Sequence, residues 1–276
     1  MSTSSVSFKT SEPYVAASMK LYQLVKKIMS QAAQLDTRIP YHAILAYFSV
    51  RAARIHWAIT RLCREGSGPE ALILLRSFLN LLIDLRYISD DLDTRSRRYL
   101  RYGELVRAEG WDVYKRWYIE GPFASTRNQA RQERQRKLDQ ELVGHHLLLT
   151  KEFPNWKRLG WADCTIRERA KRVGEEYAYD SVYRIGSAMD HGSPSGSRYF
   201  MRDKGGEFLG RLGPIADLVP QVLVSSCDYL YKVMQLWCAE FNPNAQDSLL
   251  EWNREAASSF ASPRKRAAVR AKKSVL

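Results

Sequence analysis

Cysteine is scarce in this 276-residue chain, and the four that occur, Cys63, Cys164, Cys227 and Cys238, are scattered with no Cys-x-x-Cys pair. That spacing excludes a zinc cage and a disulfide framework and points to a reducing, cytoplasmic setting. Long apolar runs are also missing. The most apolar stretch, Ala71 to Leu85, is interrupted by Arg76, Asn80 and Asp84, and the opening Met1-Ser2-Thr3-Ser4-Ser5 is polar, so neither a membrane span nor a secretion signal is expected. No segment sustains an apolar alternation of period two, which leaves almost no sheet. His145 and His146 are adjacent and project to different faces of a helix, and no His-x3-His or His-Glu pair accompanies them, so the residues give little support to a metal hydrolase. Neither a metal nor a cofactor is expected.

What the chain has in excess is positive charge: 43 Lys and Arg against 30 Asp and Glu, a net +13. Removing six cations near the C-terminus, Arg264, Lys265, Arg266, Arg270, Lys272 and Lys273, still leaves +7 (13 − 6), so the body itself is basic. RNA or another polyanion is the expected partner, drawn by steering and counterion release, with those six side chains as nucleic-acid contacts. From residue 258 to 276 the helical pattern dissolves into a basic, disordered tail appended to a helical domain over residues 1–257. The cation-rich stretch from Arg127 to Lys137 reads as a solvated helix face.

Apolar residues recur at helical spacing over about residues 13–35 and 39–64. Gly66-Ser67-Gly68-Pro69-Glu70 forms the next turn, where Ser67 and Glu70 have capping-box spacing and Pro69 suits a first helical turn, and the helix it opens should run to about Ser89. Further helices are expected over about 94–120, 126–153, 165–191 and 214–241, with a surface loop over 192–206. The fold class is all-α, a single antiparallel bundle of about seven long helices, with those carrying Arg76 and Arg184 adjacent in the core.

Two constellations carry the chemistry. Arg184, Ser187 and His191 share one side of a helix at 3.6 residues per turn. Gly192 is a natural residue to end that helix and Pro194 a stop signal, which places His191 in its last turn, where the negative end of the macrodipole favours imidazolium. A histidine beside an arginine can hold a phosphodiester and move a proton near neutral pH. The structural alternative has His191 capping the last carbonyls and Arg184 paired with Asp180 or Asp190. The second constellation lies on the apolar helix around Phe78, where Arg76, Asn80 and Asp84 follow at four-residue steps. A charge placed there requires a partner, either Asp84 or an acid on another helix, unless Arg76 points toward the cavity of Arg184 and His191.

The run Arg61-Leu62-Cys63-Arg64-Glu65-Gly66, then Glu70 through Asn80, then Tyr183 with Ser187-Ala188-Met189-Asp190-His191, resembles the bacterial domain family of unknown function DUF5677 over about residues 39–241. The family motif usually reads Leu-Leu-Arg-Ser-x-x-Glu, and Asn80 stands at its glutamate, so no carboxylate there neutralises the arginine or acts in chemistry. The spacing Arg184-x6-His191 is also similar to the Arg-x4-6-His motif of the HEPN superfamily. That resemblance implies a metal-independent endoribonuclease working as a homodimer, a toxin or defence effector held by a protein partner. Arg184 would stabilise the phosphate and His191 assist proton transfer as the ribose 2′-hydroxyl attacks. The competing reading is a non-catalytic interaction or anion-binding module, in which Arg76, Asn80, Asp84, Tyr183 and Asp190 form a structural polar network beneath a basic surface.

Overall fold

The computed structural model describes residues 5–31, 34–36, 38–118, 146–197, 199–205, 207–211 and 213–260. The fold class is all-α. The described residues divide into two compact units, Met1–Tyr87 with Ala170–Leu276, and Ile88–Arg169.

The first unit is built on five long helices: α1 (Ser5–Ser30), α2 (Pro40–Arg64), α3 (Gly68–Ser89) and, late in the chain, α10 (Val219–Phe241) and α11 (Gln246–Phe260). Pro40 opens α2 and Pro220 lies in the first turn of α10, where a missing N–H costs no intrahelical bond. Leu21, Ile44, Leu45, Ile59, Leu75, Phe78, Leu79 and Leu82 are almost wholly buried, and the Phe78 ring meets Tyr229 of α10 edge-on at 5.7 Å. Most of α3 is core, as its nearly continuous apolar sequence requires.

The middle of this core is not purely apolar. His56 of α2 is buried between Ser18 of α1, 3.0 Å from Nε2, and Ser226 of α10, 2.8 Å from Nδ1. Ser18 Oγ in turn lies 2.5 Å from Thr60 Oγ1, and the Thr60 hydroxyl donates to the His56 carbonyl. A neutral imidazole satisfies the set: Nε2–H donates to Ser18, and Nδ1 accepts the Ser226 hydroxyl. Burial lowers the His56 pKa to about 4, against a smaller upward pull from Ser18 and Ser226.

The second unit contains α4 (Leu92–Tyr118), a helical stretch over 146–152 and the short α5 (Trp156–Leu159); α6 (Ile166–Arg172) begins in it. Leu105, Leu149 and Phe153 form its core, flanked by Tyr102 and Trp156. Arg98 closes one side, donating to the Trp161 carbonyl at 2.8 Å and to Asp163, with its guanidinium over the Phe153 ring.

Helices near 39–64, 68–89 and 94–120 stand close to where sequence spacing puts them. Of the helix expected over 126–153, only 146–152 and Phe153 fall among the described residues; the Arg127–Lys137 face and His145 lie outside them. The helix expected over 165–191 is instead broken: α6 ends at Arg172, the chain turns at Gly174 with φ +75°, and helix resumes at α7 (Glu176–Ala178). The expected loop over 192–206 is also corrected. It holds a helical turn, α9 (Pro194–Ser197), and the first strand of a hairpin, β1 (Met201–Lys204) with β2 (Glu207–Gly210), in which Lys204 pairs with Glu207 in antiparallel register. A Gly-Gly pair between two such runs is a hairpin signal. Helix α11 is absent from the sequence reading and continues to Phe260. Leu249, Trp252 and Ala256 bury one face of it, Trp252 Nε1 donates to the Ala17 carbonyl at 3.2 Å, and Phe260 stacks on Tyr14.

Candidate functional site

Helix α7 runs without interruption into a π-helical turn, Tyr179–Tyr183, and then into α8 (Arg184–Asp190). In the π turn the rings of Tyr179 and Tyr183 stack at 4.5 Å. The α register resumes at Arg184, so the face shared by Arg184, Ser187 and His191 survives.

The end of α8 follows from its last residues. Gly192 adopts φ +61° and donates its N–H to the Met189 carbonyl at 3.2 Å, while Ser193 N–H reaches the Ala188 carbonyl at 2.9 Å. These two bonds form a Schellman motif, which fixes the last turn and places His191 at the C-cap. The backbone N–H of His191 bonds the Ser187 carbonyl.

Close packing fixes how α8 is rotated. Gly186 is buried against α3, where an added Cβ would stand 3.0 Å from Arg76 Cβ and 3.2 Å from the Leu72 carbonyl oxygen. Tyr183 and Asp190 flank Gly186 on the same side, and both engage Arg76. The guanidinium donates to Asp190 Oδ2 at 2.5 Å, and its carbon lies 4.8 Å from the centroid of the Tyr183 ring. Burial works against the charge of Arg76, but Tyr183 and Asp190 outweigh it and raise its pKa above the ordinary value. The partner of Arg76 is therefore an acid on another helix rather than Asp84. Asn80 and Asp84 continue the seam along α3, both half-buried; Asn80 Oδ1 and Arg76 Nε have no hydrogen-bond partner among the described residues.

Arg184 and His191 lie roughly 150° around α8 from Gly186, and both are exposed. Ser187 sits between the two sides and is half-buried. Arg76 therefore does not share a face with Arg184 and His191, which corrects the expectation of a common cavity. The alternative pairing of Arg184 with Asp190 is also not formed, because Asp190 is held by Arg76. Among the described residues neither Arg184 nor His191 has an ion-pair partner, and the His191 ring has no polar contact. Arg264, Lys265, Arg266, Arg270, Lys272 and Lys273 lie outside the described residues.

Sequence spacing gave no sign of a second polar cluster nearby. Glu175, with its side chain only 5% exposed, accepts from Arg86 of α3 at 2.6 Å and from Lys232 of α10 at 2.9 Å, and Lys232 also reaches Asp228 at 2.8 Å. Burial opposes the charge of Lys232, but its bonds to Asp228 and Glu175 raise its pKa. Partners 57 and 89 positions from Glu175 produce no periodic signal. The available hint was the pair of acids, Glu175 and Glu176, directly after the Gly174 break.

No helix among the described residues is long and apolar enough to cross a membrane. Neither the curated proteins nor the solved structures yield a match. Residues 42–208, more than half of the chain, match the model of a family of unknown function, DUF5677, and span the Arg76 seam, the Schellman-capped end of α8 and the hairpin start; the chain belongs to that family.

Proposed function

We propose that this protein acts on RNA through the exposed side of α8, with Arg184 binding a backbone phosphate and His191 transferring a proton in metal-independent cleavage. The observation that supports this reading is the Arg76–Asp190 pair: it ties Asp190 to α3, and among the described residues neither Arg184 nor His191 has an ion-pair partner. In the proposed reaction the ribose 2′-oxygen attacks phosphorus as neutral His191 takes its proton. A new 2′-oxygen–phosphorus bond forms and the bond to the 5′-oxygen breaks, that oxygen leaving with a proton from water. Arg184 offsets the charge that develops on the phosphoryl oxygens. The products are a 2′,3′-cyclic phosphate and a 5′-hydroxyl, and DNA, without the 2′-hydroxyl, is not cut.

The test is incubation of purified full-length protein with mixed RNA and with DNA in EDTA, followed by end-group analysis. Cyclic phosphate ends from RNA alone support the reading; intact RNA, or equal cutting of DNA, overturns it. One feature favours a second reading, a non-catalytic module that only binds phosphate. No polar group among the described residues orients the His191 ring, and a general base ordinarily has such a partner. RNA binding that Arg184→Ala abolishes, without any cleavage, would establish that second reading.

A further inference from the structure

Helix α2 contains no Asp or Glu between Pro40 and Arg64. Its inner face packs His56, Ile59 and their neighbours into the core, while Tyr47, Val50, Arg51, Arg54, Trp57, Arg61 and Arg64 are all exposed. At 100° per residue these seven fall within an arc of roughly 140°, so they form one stripe. Tyr47, Val50 and Trp57 are 50%, 49% and 44% exposed. Two of the arginines are held beside the rings: Arg51 donates to the Tyr47 hydroxyl at 2.6 Å, and the Arg61 guanidinium carbon lies 5.9 Å from the Trp57 centroid. None of the four arginines forms an ion pair with a described residue.

We infer that this face of α2 is a platform for single-stranded nucleic acid, with Arg51, Arg54, Arg61 and Arg64 following phosphates and Tyr47 and Trp57 offering rings on which bases stack. The platform shares its ligand class with the RNA reading above but requires no cleavage. From Tyr47 to Arg64 the helix spans roughly 25 Å, the length of about seven nucleotides stacked at 3.4 Å. Charge and chemistry discriminate among occupants. A second copy of the chain would set four arginines against four arginines. An acidic peptide would use the cations but not the rings, and a membrane surface calls for a broader apolar stripe than Val50 provides. Unpaired bases use both kinds of side chain, because every base has a π face and every linkage a negative charge.

The test uses full-length protein and fluorescein-labelled decathymidylate, which lacks the 2′-hydroxyl and so reports binding whether or not the protein cleaves RNA. Anisotropy at low salt should show binding that Arg54→Gln with Arg61→Gln weakens at least about tenfold, with the log–log salt slope falling by about 1.4 for two lost contacts. Trp57→Ala should weaken binding several-fold with little change in salt slope, and Trp57→Phe should retain it. The C-terminal cations are common to every variant. The platform is overturned if decathymidylate does not bind or if the arginine and tryptophan variants bind within about twofold of wild type. Tighter binding of a same-length duplex, polyglutamate or phosphatidylserine vesicles overturns it as well.

Discussion

Arg76 on α3 and Asp190 in the last turn of α8 meet at 2.5 Å although 114 positions separate them in the chain. With Tyr183 beside the guanidinium, the pair joins two helices that lie within the family match and holds Asp190 away from the exposed side of α8. Arg76→Ala should destabilise the protein by about 2 kcal/mol in chemical denaturation, a value limited by the partial exposure of Asp190, which water can re-solvate. A double-mutant cycle with Asp190→Asn should return a coupling of about 1 kcal/mol. Strictly additive losses would show that the contact contributes nothing of its own.

Gly186→Ala tests the close approach of α8 to α3. Alanine is the better helix former by about 1 kcal/mol, yet its methyl would press on Arg76 Cβ and the Leu72 carbonyl at 3.0 and 3.2 Å. Overpacking of this kind costs about 1–3 kcal/mol, so a net loss of about 1 kcal/mol is expected. A raised melting temperature would mean that the helices separate without cost.

His56 predicts a pH dependence. Its folded pKa is depressed to about 4, below the unfolded value, so its contribution to stability is present above about pH 6.5 and is lost as pH falls through 4. The loss should be on the order of 3 kcal/mol. The stability difference between wild type and His56→Gln, measured by urea denaturation from pH 7 to pH 4, should shrink by that order as the pH falls. A difference independent of pH would show that His56 titrates alike in both states.

Arg184→Ala and His191→Ala remove exposed side chains without ion-pair partners among the described residues. Each should change stability by less than about 0.5 kcal/mol. If the chain cleaves RNA, each should lower the cleavage rate by two orders of magnitude or more. A large fall in melting temperature for either variant would assign these residues to the fold instead.

The helical class and the spans near 39–64, 68–89 and 94–120 were legible in the sequence because periodic apolar faces, Pro40 and the Ser67-Gly68-Pro69-Glu70 turn are local signals. So was the end of α8, since Gly192 and Pro194 act within their own turn. Helix α11 was missed: Leu249, Trp252 and Ala256 give it only a narrow buried stripe, completed by Ala17 and Tyr14 of α1. The hairpin was missed although Gly205-Gly206 marks it, because Gly, Ser and Pro just before it suggested a loop.

For the candidate site the division is sharper. The sequence by itself determined that Arg184, Ser187 and His191 share a helix face, because helical geometry is local. It also required a partner for Arg76, because a charge amid apolar residues needs one. Only the tertiary structure decided which partner that is and which way α8 faces. Both depend on Gly186 lying against Leu72 and Arg76, a fit between segments more than a hundred residues apart that no local spacing encodes. Packing against α1 and α10 turned one side of α2 into the core and left its arginines and aromatic rings outside, and so made a stripe of residues scattered in sequence into a surface.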